Sequence, residues 1–143
     1  MTVRYLIDTD WAIDHMNAID RVVRRLQELR PQGLALSIVS LAELYEGVHY
    51  SRDPERSQQA LDAFLADVAV LGIDEEICKI FGRERGKLRR QGQLFGDLDL
   101  LIAATCLHYG LTLLTNNCQH FNRVEGLQME SIREAPPSGQ TQP

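Results

Sequence analysis

The chain opens on a run of β-formers, Val3-Arg4-Tyr5-Leu6-Ile7, that stops abruptly at Asp8-Thr9-Asp10. Such a run, bounded by turn-forming polar residues, predicts a strand over 3–7. Ile19, Val22, Val23, Leu26 and Leu29 then recur at helical spacing with arginines between them, and predict an amphipathic helix over 18–30. Pro31 and Gly33 end it. Leu34 to Val39 predicts a second strand, and Ser40 opens a helix, SLAELYEGVHY, with Glu43 three residues on. Asp53-Pro54 supplies an N-cap and a first helical residue for an amphipathic stretch running to about Val70. Gly72-Ile73-Asp74 closes that connection, and residues 75–91 predict a strongly basic helix. Asp97 and Asp99 precede a nearly all-apolar helix, LLIAATCLHY, which ends at Gly110. Leu111 to Thr115 predicts a buried strand, 116–121 a single turn or short helix, and 127–132 a last edge strand. The segment 135–143 has no apolar residue beyond Ala135 and reads as a disordered tail.

Strands that alternate with helices predict an α/β domain with a mainly parallel central sheet flanked by helices on both faces. A chain of 143 residues is one domain by length, and residues 1–134 form it, with no internal repeat and no linker before the tail. In such sheets the site lies beyond the carboxyl ends of the strands. Composition adds exclusions. Hydrophobic residues are 44% and charged residues 24%, an ordinary globular balance, and no apolar run reaches the ~18 residues of a membrane span. The N-terminal MTVRYLIDTD has an acid where an export signal would carry its apolar stretch. Three cysteines, Cys78, Cys106 and Cys118, stand far apart with no CxxC pair, which argues against a disulfide framework or a cysteine-rich zinc site and for a reducing cytoplasm. A net charge of −5 argues against a protein that coats nucleic acid non-specifically. It leaves room for a local basic strip beside an acidic centre.

The acids fall where the predicted elements meet. Asp8 and Asp10 follow the first strand, Glu43 lies one turn past the second, Asp97 and Asp99 begin the apolar helix, and Asn116 and Asn117 follow the Leu111–Thr115 strand. If the strands are parallel neighbours, these side chains converge on one edge of the sheet. Clustered carboxylates repel one another, and a hard dication such as Mg²⁺ or Mn²⁺ relieves that cost through oxygen ligands. Such a centre suits phosphodiester hydrolysis. Each acid has a plainer reading. Asp8 could open an Asx-turn, and Asp10 could be structural. Ser40 and Glu43 have the spacing of a capping box. Asp97 or Asp99, but only one of them, could cap its helix, and Asn117 could be ordinary turn chemistry.

LIDTD at 6–10, SIVSLAELYEGV at 37–48, GDLDLLIAATCLHYGLTLLTNN at 96–117 and HFNRVEGL at 120–127 together resemble a PIN domain, and most of all the VapC ribonuclease toxins of bacterial toxin–antitoxin pairs. The resemblance covers nearly the whole chain in order. It implies that Asp8, Glu43 and Asp99 are the first three acids of the family's quartet, and that Asn117 holds the fourth position, with an amide in place of the acid. Asp97 is an extra acid that could compensate at the metal, and Thr115 matches a supporting hydroxyl. It further implies a Mg²⁺- or Mn²⁺-dependent endoribonuclease in which Asp8 and Asp99 hold the ion and Glu43 ligates it or orients the attacking water. A small antitoxin whose tail blocks the acidic pocket, and a homodimer as basic unit, are the partners implied.

Between Lys79 and Arg90 the chain has six cations, Lys79, Arg83, Arg85, Lys87, Arg89 and Arg90, against one acid, Glu84. They are either a solvated helix face or an RNA phosphate rail, with Arg83, Arg85, Lys87, Arg89 and Arg90 as the contacts. Gly82, Gly86 and Gly92 weaken that helix. Trp11 and Tyr45 suit core or interface packing, and His120 a structural role. Two other functions compete: a catalytically degenerate PIN fold that only binds, and a haloacid-dehalogenase-like phosphotransferase with Asp8 as nucleophile. Trp11-Ala12 after Asp10 departs from the Gly-Thr-rich turn of the latter.

Overall fold

The computed structural model describes residues 2–132, so the expected tail at 135–143 lies outside the described residues. In chain order the elements are β1 (Tyr5–Ile7), α1 (Thr9–Met16), α2 (Asp20–Leu29) with a 3₁₀ turn over Arg30–Gln32, β2 (Leu34–Ser37), α3 (Ile38–His49), α4 (Pro54–Leu65), β3 (Ala69–Leu71), α5 (Glu75–Arg90), α6 (Asp97–Tyr109), β4 (Thr112–Leu114), α7 (Cys118–Phe121) and β5 (Gln128–Glu130). The five strands form one sheet in the order β3-β2-β1-β4-β5, and every pairing is parallel. The chain leaves β1 toward β2 and later returns to its other side as β4. The order therefore reverses at β1, which opens a crevice between the carboxyl ends of β1 and β4.

Alternation along the strands builds two cores. Leu6 and Leu113 point to one face and Ile7 and Leu114 to the other, as the two-residue period of a strand requires. The first face packs on Leu88 of α5, Leu100, Ile102, Ala103 and Cys106 of α6, and Phe121 of α7. The second packs on Trp11 and Ala12 of α1, Val22, Leu26 and Leu29 of α2, Leu44 and Val48 of α3, and Leu61 and Phe64 of α4. Leu6, Ile7, Leu113 and Leu114 are wholly buried, so β1 and β4 are covered on both sides, which is the setting a parallel sheet needs. Among the described residues no helix is long and apolar enough to cross a membrane.

The structure corrects several local expectations. The turn expected at Asp8-Thr9-Asp10 is the start of α1, with Asp8 as N-cap accepting from the Thr9 amide at 2.8 Å. The fourth helix stops at Leu65, and Ala69–Leu71 is the edge strand β3. Ile38 and Val39 belong to α3 rather than to the second strand, because Ser37 caps that helix by accepting from the Val39 amide at 3.0 Å. Ser40 thus sits inside the first turn, and the capping-box reading of Ser40 and Glu43 falls. Neither Asp97 nor Asp99 is a cap: Gly96 holds that position with no side-chain bond, and both acids lie in the first turn of α6. Trp11 packs in the core as expected, whereas Tyr45 is 45% exposed on α3.

One glycine is required by geometry. Gly33 has φ of +96°, its carbonyl accepts from both the Arg4 and Tyr5 amides, and a Cβ there would run into the Thr2 carbonyl. Gly110, which ends α6 at φ +66°, has open space around it. Gly33→Ala is therefore expected to destabilise the fold by more than the ~1 kcal/mol that backbone strain alone costs Gly110→Ala. Urea unfolding of the two variants checks this; equal losses would show that the clash at Gly33 is relieved at no cost.

Candidate active site

Asp8 stands at the carboxyl end of β1, where the strand order reverses, and is 4% exposed. Its amide continues the ladder by donating to the Leu114 carbonyl at 2.9 Å. One carboxylate oxygen accepts from the Thr9 amide at 2.8 Å, and the other from the Thr115 hydroxyl at 2.7 Å. Thr115 follows β4 and is fully buried; its oxygen in turn accepts from the Asn117 amide at 3.0 Å. Burial, and next the charge of Asp10, push the Asp8 carboxyl up to about 7, against the two hydrogen bonds that favour its ionised form. Asp99, in the first turn of α6, is likewise raised, first by burial and then by the negative charge of Glu43. Asp99 also bears on Asp8, and Asp10 bears on Asp99. The structure thus brings Asp8, Asp10, Glu43 and Asp99 into one field of mutual repulsion.

Glu43 is fixed by the neighbouring helix α1 on the same face of the sheet. Thr9 Oγ1 lies 2.7 Å from Glu43 Oε1 and 2.9 Å from Ser40 Oγ. With a single proton, the Thr9 hydroxyl donates to the carboxylate and accepts from Ser40. Neither Thr9 nor Ser40 is legible as a site residue in the sequence, since 34 residues separate Thr9 from Glu43. Asp10 has a supporting role as well as a charge: its two oxygens accept from the Trp11 amide at 2.7 Å and the Asn116 amide at 3.0 Å.

The two asparagines divide. Asn116 Oδ1 accepts from Trp11 Nε1, the Ser131 hydroxyl and the Ile132 amide at 2.9–3.1 Å, and so pins α1 to the end of β5. Asn117 Nδ2 lies 3.0 Å from His120 Nδ1, and the His120 ring stacks on Phe95 at 5.8 Å. His120 is close enough to lower the pKa of Asp99, so a residue expected to be structural borders the acidic centre. Asp97 is engaged elsewhere, 2.8 Å from Arg85 Nε.

The basic helix is largely neutralised. Arg83 and Lys87 flank the buried Glu84 at 3.1 and 3.4 Å, and Lys79 meets Glu75 and Glu76. Arg89 and Arg90 have no acid partner among the described residues.

All the donors at the centre are oxygens, which suits a hard dication. Among the described residues no three His, Cys, Asp or Glu side chains stand close enough to hold one ion together. A Mg²⁺-type ion needs only one or two carboxylates, with water and substrate phosphate completing its shell, so the arrangement fits such an ion and not a closed protein cage.

A five-stranded parallel sheet with carboxylates at its reversal point defines an α/β protein whose acidic centre suits metal-assisted phosphate chemistry. The chain belongs to the PIN-domain family: the PIN domain model matches residues 5–127. It is 32% identical over 128 residues to the tRNA(fMet)-specific endonuclease VapC of Shigella flexneri, covering 90% of this chain and 97% of that one. It is also 32% identical over 129 residues to ribonuclease VapC2 of Rickettsia felis, covering 89% and 96%. Among solved structures, VapBC2 from Rickettsia felis bound to a promoter DNA fragment superposes with a TM-score of 0.87 at 30% identity, covering 92% of this chain and 100% of that chain. DNA-bound VapBC from Salmonella typhimurium gives 0.85 at 27% identity, covering 91% and 98%. The phosphotransferase alternative falls with this assignment.

The raised carboxyls set a pH dependence. The fold holds the Asp8 proton up to about 7, whereas an unfolded chain releases it near 3.8. Stability from this group is full below the lower value and is lost as pH rises through the upper one. In metal-free protein the melting temperature is therefore expected to fall between pH 5 and 8, and Asp8→Asn to flatten that fall. Melts across this range check it; parallel slopes for the two proteins would contradict the assignment.

Proposed function

We propose that this chain is a metal-dependent endoribonuclease, the toxin of a toxin–antitoxin pair. The observation that carries this reading is the convergence of Asp8, Glu43 and Asp99 at the reversal point of the sheet, in a chain that matches VapC ribonucleases over nine-tenths of its length. Mg²⁺ or Mn²⁺ would be held by Asp8 and Asp99. When bound, such an ion lowers the pKa of an attacking water and offsets charge on the phosphate. The chain's own residues do the positioning. The Thr115 hydroxyl and Thr9 amide fix the plane of the Asp8 carboxylate. The Thr9 hydroxyl occupies Glu43 Oε1 and leaves Oε2 to orient the water and accept its proton. Arg85, Arg89 and Arg90 supply cations for the RNA backbone, with Arg83 and Lys87 beside them, partly neutralised by Glu84.

The named relatives support the substrate class: one is a tRNA(fMet)-specific endonuclease and another a ribonuclease. Several of the matching structures are VapBC complexes, which supports a small antitoxin as the partner of this chain. In this reading the antitoxin's tail covers the acidic pocket, the toxin is a homodimer, and it acts in the cytoplasm.

Antitoxin-free protein is expected to cut tRNA in Mg²⁺ or Mn²⁺ and to stop in EDTA. Because neither acid caps a helix, Asp99→Asn and Glu43→Gln should keep the fold and lower cleavage at least ~100-fold, as an amide is a poor ligand for a hard dication. Saturating Mg²⁺ should stabilise the wild type by roughly 2–3 kcal/mol at a hundred times Kd, and Asp99→Asn by much less. Cleavage unchanged in EDTA would sink the metal mechanism.

A further inference from the structure

His120 borders the acidic centre with no task in the chemistry proposed above. Its ring is half-buried and held from two sides. Asn117 Nδ2 lies 3.0 Å from Nδ1, and Phe95 stacks on the ring at 5.8 Å with the two planes 28° apart. Both supports lead back to the acids. The Asn117 amide donates to Thr115 Oγ1 at 3.0 Å, and that hydroxyl donates to Asp8 Oδ2 at 2.7 Å. Phe95 stands immediately before Gly96, the N-cap of the helix that bears Asp99. His120 is also close enough for its charge to act on Asp99. A side-chain amide nitrogen can only donate, so with Nδ2 facing it Nδ1 accepts, and the proton of the neutral imidazole stands on Nε2. Nε2 itself has no hydrogen-bond or ion-pair partner among the described residues.

The strand order adds a direction. The segment after β2 leads to Glu43 and the segment after β4 to His120, and β2 and β4 lie on opposite sides of β1. A phosphodiester lying across the carboxyl end of β1 therefore has Glu43 toward one flank and His120 toward the other. In-line displacement needs that division between the attacking and the leaving oxygen. We propose that His120 is a catalytic residue whose Nε2–H hydrogen-bonds the leaving oxygen of the cleaved phosphodiester, and that Asn117 is the positioning residue that keeps the proton on Nε2. The inference rests on the ribonuclease reading and adds a leaving-group donor to it. As the water oxygen bonds to phosphorus, the bond from phosphorus to the leaving sugar oxygen breaks. The water's proton passes to Glu43 Oε2. The sugar oxygen takes up the developing charge, accepts from Nε2–H, and gains its own proton from solvent. A donor aimed where negative charge develops acts more strongly in the transition state than in the ground state. The ionised carboxylates around it repel that charge. With a proton on Nε2, the ring does not ligate an ion through that nitrogen.

His120→Phe keeps a ring on Phe95 and removes the donor. On tRNA in Mg²⁺ it should slow single-turnover cleavage about 100-fold, while tRNA binding in EDTA changes by less than about threefold, the split of a contact made in the transition state. The deciding substrate is a short RNA with sulfur in place of the leaving oxygen at the mapped cut. A thiol ionises near pH ~8.5 and leaves without a donor, so there the loss should shrink to about threefold or less. A merely structural role costs the same on both substrates. In metal-free protein, the imidazole nitrogen NMR shifts of His120 should show a protonated Nε2 and a bare Nδ1. Asn117→Asp, whose ionised carboxylate can only accept, should move the proton to Nδ1; an unchanged ring there overturns the part given to Asn117. Equal losses on the two substrates, wild-type cleavage by His120→Phe, or a bare Nε2 in the wild type each overturn the proposal. Wild type that cuts no RNA in Mg²⁺ or Mn²⁺ defeats the nuclease reading, whereas wild type that cuts beside an equally active His120→Phe defeats the donor alone.

Discussion

The fold turns on a carboxylate buried at the end of its central strand. Asp8 is at once the last link of the β1–β4 ladder, the cap of α1 and a buried negative charge. Two donors, the Thr9 amide and the Thr115 hydroxyl, satisfy its oxygens but do not cancel its charge, and Asp10 and Asp99 add to the repulsion. A buried polar group with satisfied hydrogen bonds is tolerable, whereas a buried charge without a countercharge is not. The domain therefore holds a site that is structurally complete and electrostatically unbalanced. That imbalance is the physical basis for expecting a cation there.

The surroundings are built to keep that imbalance from relaxing. Thr9 ties α1 to Ser40 and Glu43 on α3, while Asp10 and Trp11 tie it to Asn116 and, through that amide, to Ser131 and Ile132. Three segments distant in sequence are thus clamped to one short helix. Without such clamps, repelling carboxylates would swing toward water; with them, the cost is stored in raised pKa values at Asp8 and Asp99. Asn117 fits this logic. An acid there would add one more charge, whereas the amide adds none and lies 3.0 Å from His120 Nδ1.

Much of this was legible in the sequence because periodicity and punctuation report local structure. The buried β1 and β4, the helix over Asp20–Leu29, and α6 ending at Gly110 follow from them. So does the placing of Asp8, Glu43 and Asp99 at one edge. The failures have local causes. Asp8-Thr9-Asp10 carries the same residues in a turn and at a helix start, and the Trp11 and Ala12 that make α1 amphipathic look unremarkable beside it. Ala69–Leu71 is too short to show alternation and gains its strand identity only from pairing with Ala35–Ser37. Ser40 and Glu43 have capping-box spacing, yet Ser37 captures the helix first. The Thr9–Glu43 and Arg85–Asp97 contacts are invisible because they depend on how distant segments pack.

Charge arrangement reconciles an acidic protein with an anionic substrate. The net charge of −5 repels RNA at long range, but exposed charges are screened beyond about 8 Å at physiological salt. Within that distance the local pattern governs. Glu75, Glu76, Glu84 and Asp97 pair four of the six cations of α5, so the helix is not an indiscriminate rail. The remaining positive charge gathers at Arg89 and Arg90, which have no acid partner among the described residues. A surface basic throughout would hold RNA in any register. Confining the cations of α5 that have no acid partner among the described residues to the carboxyl end of that helix gives this acidic chain a local positive edge in place of a basic surface.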